Sequence, residues 1–170
     1  MKNYLEKEHY VPCIADVDVL VCGSGPAGIG AALRAAEMGV SVMIVEMGGC
    51  LGGIATAGMM SNWGGRSSSK IMQEIFKRSY EIDSEHMQID NGKPDLTAIP
   101  HDLQMIVLEE MMKEANVEIL YYTMVCDAVV EDDRIVGVTV QNKSGKGFFK
   151  IFYMFFTFTI AGRRTSPLYR

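Results

Sequence analysis

A short apolar run that breaks into glycines at intervals of two and three residues leaves a chain few ways to fold. Here the run is Asp16-Val17-Asp18-Val19-Leu20-Val21-Cys22, rich enough in β-branched residues for a buried strand. It passes directly into Gly23-Ser24-Gly25-Pro26-Ala27-Gly28, followed by an alanine-rich segment as far as Gly39. A second β-branched run, Val40 to Val45, stops at Glu46. The order is strand, glycine turn, helix, strand, acid.

Each part has a physical reason. Gly23 permits a tight turn out of the strand, and Gly25 leaves room for a pyrophosphate to approach the backbone. Gly28, Ala32, Ala35 and Gly39 fall on one helix face, where small residues let the helix lie close against a sheet. The helix N-terminus offers unpaired N–H groups and roughly half a positive charge, which suits a phosphate. Glu46 stands where an acid accepts hydrogen bonds from an adenosine ribose, and it would repel a 2′-phosphate. A glycine turn alone is weak evidence, because such turns recur in unrelated folds. Strand, small-residue face and acid agree here, so the stretch reads as a dinucleotide site and not as an ordinary βαβ turn.

The chain's 170 residues suffice for one domain with a real core. A net charge of −5 argues against a nucleic-acid partner, which would want a basic surface. The four cysteines, Cys13, Cys22, Cys50 and Cys126, are scattered, which supports neither a zinc site nor a disulfide framework and makes the cytoplasm the expected location. The first residues carry Lys2, Glu6, Lys7 and Glu8 without an apolar core, so a solvated arm is expected over residues 1–14 and no signal peptide.

Beyond Glu46, five glycines fall between Met47 and Met60, which no helix or strand interior tolerates. This is either a surface loop or backbone brought close to a ligand, and its place beside the ribose acid favours the second. Ser67, Ser68 and Ser69 are candidate caps for an amphipathic helix ending near Ile82. A loop is expected at Asp90 to Pro94, a second helix from Pro100 to Asn116, and a third strand over Val117 to Tyr122. Ala128 to Val130 and Ile135 to Val140 read as a hairpin. The excursion over residues 47–116 far exceeds the dozen or so residues a plain βαβ crossover needs, which disfavours a simple nicotinamide dehydrogenase.

Gly23, Gly25 and Gly28, with Ala32, Gly39 and Glu46, match the FAD-type dinucleotide motif, and Leu51-Gly52-Gly53-Ile54-Ala55-Thr56-Ala57-Gly58 resembles a second segment of FAD-dependent oxidoreductases. The family resembled includes heterodisulfide reductase A-like flavoproteins, and the resemblance spans about residues 15 to 145. It implies an α/β Rossmann-like FAD-binding fold, a parallel sheet with a β-meander, incomplete at its C-terminus. It further implies that Gly23, Gly25, Pro26, Ala27 and Gly28 hold the pyrophosphate and Glu46 the ribose. Gly52 and Gly53 would lie along the FAD, Thr56 near its flavin end, and Val125 with its backbone against the adenine.

Two departures from that pattern matter. Ala55 and Met60 stand where flavin disulfide reductases carry a redox cysteine pair, so disulfide exchange by that route is excluded. Some relatives bind a 4Fe–4S cluster, for which this chain supplies no ligand set. The second departure is the stretch from residue 146 to 170, with seven aromatics between Phe148 and Phe158 and then Ile160-Ala161-Gly162 and Arg163-Arg164. It is a buried strand, a membrane-surface segment too short to span, or a truncated or frame-altered end; the last is preferred.

No catalytic acid or base can be assigned. His9, His86 and His101 read as surface or capping residues, and Glu109-Glu110 as a solvated helix face. Asn62, Trp63 and Arg66 either face the flavin or pack the loop. The expectation is an FAD-dependent oxidoreductase or its FAD-binding portion, working on a small-molecule substrate or electron donor or acceptor. The alternative is a non-catalytic, truncated nucleotide-binding remnant of a longer flavoprotein.

Overall fold

A computed structural model describes residues 10–63, 69–85, 87, 89–90, 93–94 and 98–156. The elements run β1 (Cys13–Cys22), α1 (Pro26–Glu37), β2 (Val42–Val45), a 3-10 turn (Gly53–Ala55) and α2 (Lys70–Ile82). A two-residue pair, β3 (Ile89–Asp90) and β4 (Lys93–Pro94), precedes α3 (His101–Glu114). Four strands complete the chain: β5 (Glu118–Leu120), β6 (Met124–Glu131), β7 (Arg134–Asn142) and β8 (Gly145–Phe156). Six of the strands form one mixed sheet in the order β5-β2-β1-β8-β7-β6, parallel from β5 to β8 and antiparallel from β8 to β6. This is the Rossmann-like arrangement with a meander.

The alternation of side chains along β1 and β2 divides the core. Val21, Val42 and Ile44 face Ile29, Ala32 and Leu33 of α1 and Val107, Leu108 and Met111 of α3. Leu20, Cys22, Met43 and Val45 face the other way and pack with Val138 and Val140 of β7 and Phe149 and Ile151 of β8. Helices therefore cover one face of the sheet, and the meander strands supply the core on the other.

Several boundaries differ from those expected. Cys13 and Ile14, expected in the arm, belong to β1, where Cys13 stands opposite Phe148. Gly39 lies past the end of α1: its φ of +79° and its N–H bond to the Ala36 carbonyl make it the residue that ends the helix, so only Gly28, Ala32 and Ala35 remain on the small-residue face. β2 begins at Val42 because Ser41 is held by the Asp18 carboxylate through both its backbone N–H (2.8 Å) and its hydroxyl (2.7 Å). β5 stops at Leu120, and Tyr122 turns away with φ +52°. Asp132 and Asp133, both at positive φ, make the tight turn of the β6–β7 hairpin.

The aromatic stretch is the largest difference. Gly145–Phe156 is a strand of the sheet, running parallel to β1 and antiparallel to β7. Its pairing with β7 ends at Lys150, and among the described strands the remainder pairs with β1 alone. Phe152, Tyr153 and Phe155 are exposed there. Ile160-Ala161-Gly162 and Arg163-Arg164 lie outside the described residues, as do His9, Arg66, Ser67, Ser68, His86 and, within the expected loop at 90–94, Asn91 and Gly92. No helix among the described residues is long and apolar enough to cross a membrane.

Candidate functional site

In a parallel sheet every strand followed by a helix ends at the same rim, and ligands bind there. At that rim β1 ends in Gly23, whose φ of +99° only a glycine adopts easily and whose N–H donates to the Val45 carbonyl (2.8 Å). This turn brings Ser24 against the end of β2. The Glu46 carboxylate accepts from the Ser24 backbone N–H (2.8 Å) and hydroxyl (2.5 Å) on one oxygen, and from the Gly48 N–H (2.6 Å) on the other. A carboxylate has about four lone-pair sites, so these bonds hold Glu46 in place without exhausting it.

Gly25 caps α1, and no side chain bonds to that end of the helix. Helix geometry leaves the first-turn N–H groups of Ala27 and Gly28 without intrahelical partners. A Cβ built on Gly25 meets nothing within 4 Å. The absent side chain therefore leaves open space over the positive end of a helix, as an anionic phosphate requires.

The second glycine segment packs onto the first. Gly52 donates its N–H to the Ser24 carbonyl (2.8 Å), and a Cβ on Gly53 would lie 3.0 Å from the Gly25 Cα. Gly52 has φ +97°, and a Cβ there would meet Thr56 at 2.5 Å and Leu108 of α3 at 3.0 Å. Thr56 is fully buried, and its hydroxyl donates to the Leu51 carbonyl, so it serves the loop's own folding. Val125 is half-buried on β6 opposite Val140, two residues beyond Thr123, whose N–H donates to the Glu46 carbonyl (3.0 Å). Gly23, Gly25, Glu46, Gly52 and Gly53 thus converge at one rim with Pro26, Ala27 and Gly28, while Thr56 lies beneath it.

The remaining candidates sort by their contacts. Trp63 packs edge-on against Phe76 (6.5 Å between ring centroids) and donates its indole N–H to Gln104 Oε1 (3.3 Å), which is loop packing. Glu109 and Glu110 are exposed, and Glu109 accepts the hydroxyl of Tyr121. Burial, with Glu109 second, raises the Tyr121 phenol above its usual range. Burial pushes the Cys22 thiol up to about 12, so it is no nucleophile at neutral pH. Among the described residues, no group of three His, Cys, Asp or Glu side chains is placed to hold a metal.

Three residues at this rim escaped the sequence reading. Ser24 occupies an unspecified place in the glycine motif, and only its contact with Glu46 distinguishes it. Tyr122 donates its N–H to the Gly48 carbonyl, and its ring occupies the space over Gly49. Gln104 is a polar residue that falls on the buried face of α3, and that lapse in helical patterning was the signal available.

The sequence profile of FAD-dependent oxidoreductases matches residues 18–151. The chain belongs to that family. Its cofactor, FAD, fits the open space at Gly25, the uncapped helix end and the clasped acid. The thiamine thiazole synthase of Aeropyrum pernix is 35% identical over 126 residues, covering 73% of this chain and 43% of that protein. The soluble pyridine nucleotide transhydrogenase of Chromohalobacter salexigens is 35% identical over 91 residues, 54% of this chain and 18% of its own length. Among solved structures, the FAD-dependent halogenase CndH shares the fold with a TM-score of 0.62 at 16% identity, covering 88% of this chain and 38% of that one. THI4 of Thermovibrio ammonificans does so with a TM-score of 0.59 at 16% identity, over 82% of this chain and 56% of its own. The chain spans less than half the length of the thiazole synthases it matches.

Proposed function

We propose that this chain is the FAD-binding portion of an FAD-dependent oxidoreductase. The pyrophosphate sits on the N-terminus of α1 over Gly25, and the adenosine ribose bonds Glu46. The observation that carries this reading is the pairing of open space at Gly25 with a carboxylate held within 2.8 Å of Ser24. When bound, the flavin ring supplies the redox chemistry, accepting or donating a hydride or single electrons. The chain's own residues bind and orient it. Gly23 and Gly25 admit the pyrophosphate, first-turn N–H groups of α1 offset its charge, and Glu46 selects a ribose bearing free hydroxyls. Gly52 and Gly53 bring a second backbone segment to the same place.

The substrate is a small molecule or electron partner. Relatives named as thiazole synthases and transhydrogenases differ too much in chemistry to choose it. Our finer reading, kinship with heterodisulfide reductase A-like proteins, is supported by the resemblance of Leu51 to Gly58, His101 to Tyr122 and Asp127 to Ser144 to segments of that family. A second reading is a nucleotide-binding remnant of a longer flavoprotein, without activity. An absorption spectrum of the purified chain, with release and identification of any flavin, separates the two. Stoichiometric FAD is expected; a folded, colourless chain that takes up no added FAD overturns the proposal.

A further inference from the structure

Gln104 is fully buried, and its Nε2 has no hydrogen-bond partner. The orientation of this amide is determined by its neighbour. An indole N–H only donates, so the atom facing Trp63 Nε1 must be the amide oxygen, which leaves Nε2 as the orphan. Buried donors without partners are rare in folded proteins, and each one calls for a physical account.

Its place in the fold supplies one. β2 and β5 are parallel, so α3 runs back between their ends and begins at the rim that carries Gly25 and Glu46. Leu108, on the same face of α3, closes against Gly52. Gln104 lies four residues, or about 6 Å, nearer the rim, and helical side chains lean toward the helix start. Over it lies the end of the glycine-rich loop, tied down by Ile99 N–H to the Ser61 carbonyl (3.1 Å), by the Asn62–Ala98 bridge and by Trp63 itself.

We propose that Gln104 is a further cofactor-binding residue, whose Nε2 donates a hydrogen bond to an acceptor oxygen of FAD once the loop edge from Ser61 to Trp63 shifts aside. This rests on the FAD reading above. The donor is kept from water by the loop and given its partner by the ligand.

Trp63 is the chain's one tryptophan, so its emission follows binding at this spot. The test titrates FAD into ligand-free wild type, Gln104→Met and Trp63→Phe, with flavin fluorescence for the last, and measures the urea midpoint of each without ligand. Gln104→Met removes the unpaired donor but also the acceptor of the Trp63 indole N–H, so its midpoint is expected to stay close to that of wild type, and it is expected to bind FAD about tenfold more weakly. Trp63→Phe, which loosens the loop but spares Nε2, is expected to stay within about twofold of wild type. Equal FAD affinity in wild type and Gln104→Met overturns the inference whatever the midpoint, because Nε2 then gives the ligand nothing. An equal loss in Trp63→Phe overturns it as well, since loop support then explains the effect. A wild type that takes up no FAD overturns the underlying reading, and this inference with it.

Discussion

The two glycine-rich segments at the rim use the same residue for opposite purposes. At Gly25 the missing side chain leaves empty space, and the backbone is in an ordinary conformation with φ −60°. At Gly52, Gly53 and Gly58 it is filled by protein: Thr56 and Leu108, the Gly25 backbone, and the Ile54 backbone respectively. One segment keeps a place open and the other closes around it. A glycine tells of a ligand only when nothing in its own chain already fills the gap.

The contrast is easiest to break from the closed side. Gly52→Val forces a branched side chain into a left-handed backbone with a contact at 2.5 Å. A stability loss of roughly 2–5 kcal/mol is expected, read as a lower urea midpoint in ligand-free protein. Gly25→Val is the counterpart: its midpoint without ligand should stay within about 1 kcal/mol, the helix-cap penalty alone, while FAD retention is lost. If both variants lose stability equally, Gly25 is a packing glycine and the distinction fails.

A smaller effect lies midway along β1, where Asp18 clasps Ser41 just before β2 begins. The Ser41 hydroxyl, and then its backbone N–H, holds the Asp18 carboxyl below its usual range. A carboxyl depressed in the folded state contributes stability above its unfolded value, near 3.9, and loses it as the pH falls through the lower folded value. Ser41→Ala should therefore flatten the acid side of the stability–pH profile below about pH 4 and leave FAD binding unchanged. An unaltered acid limb would show that the hydroxyl half of the clasp contributes nothing in solution.

What the sequence made legible was local. The β1–turn–α1–β2 unit and Glu46 lie within residues 13–46, and their periodicity, glycine spacing and terminal acid are short-range signals. Helix ends were offset where one residue outweighed the pattern, as Gly39 did by ending α1. The strand at Gly145–Phe156 is illegible locally for a different reason. Its partner β1 is more than a hundred residues away, and nothing in Gly145–Phe156 itself announces that pairing. The Ser24–Glu46 contact is likewise invisible, because it depends on which side chains meet across elements, and of Gln104 the sequence shows the break in helical patterning but not the orphan Nε2.

The pairing of Val17 with Ile151 also has a consequence for biosynthesis. A ribosome adding about 5–20 residues per second needs roughly 7–27 seconds to go from one to the other. Through that interval β1 can find β2, but its other edge has no partner yet made. The nascent chain therefore presents an apolar strand edge for long enough to meet its neighbours on a polysome, and protection by a chaperone during synthesis would matter more to yield than the stability of the finished sheet.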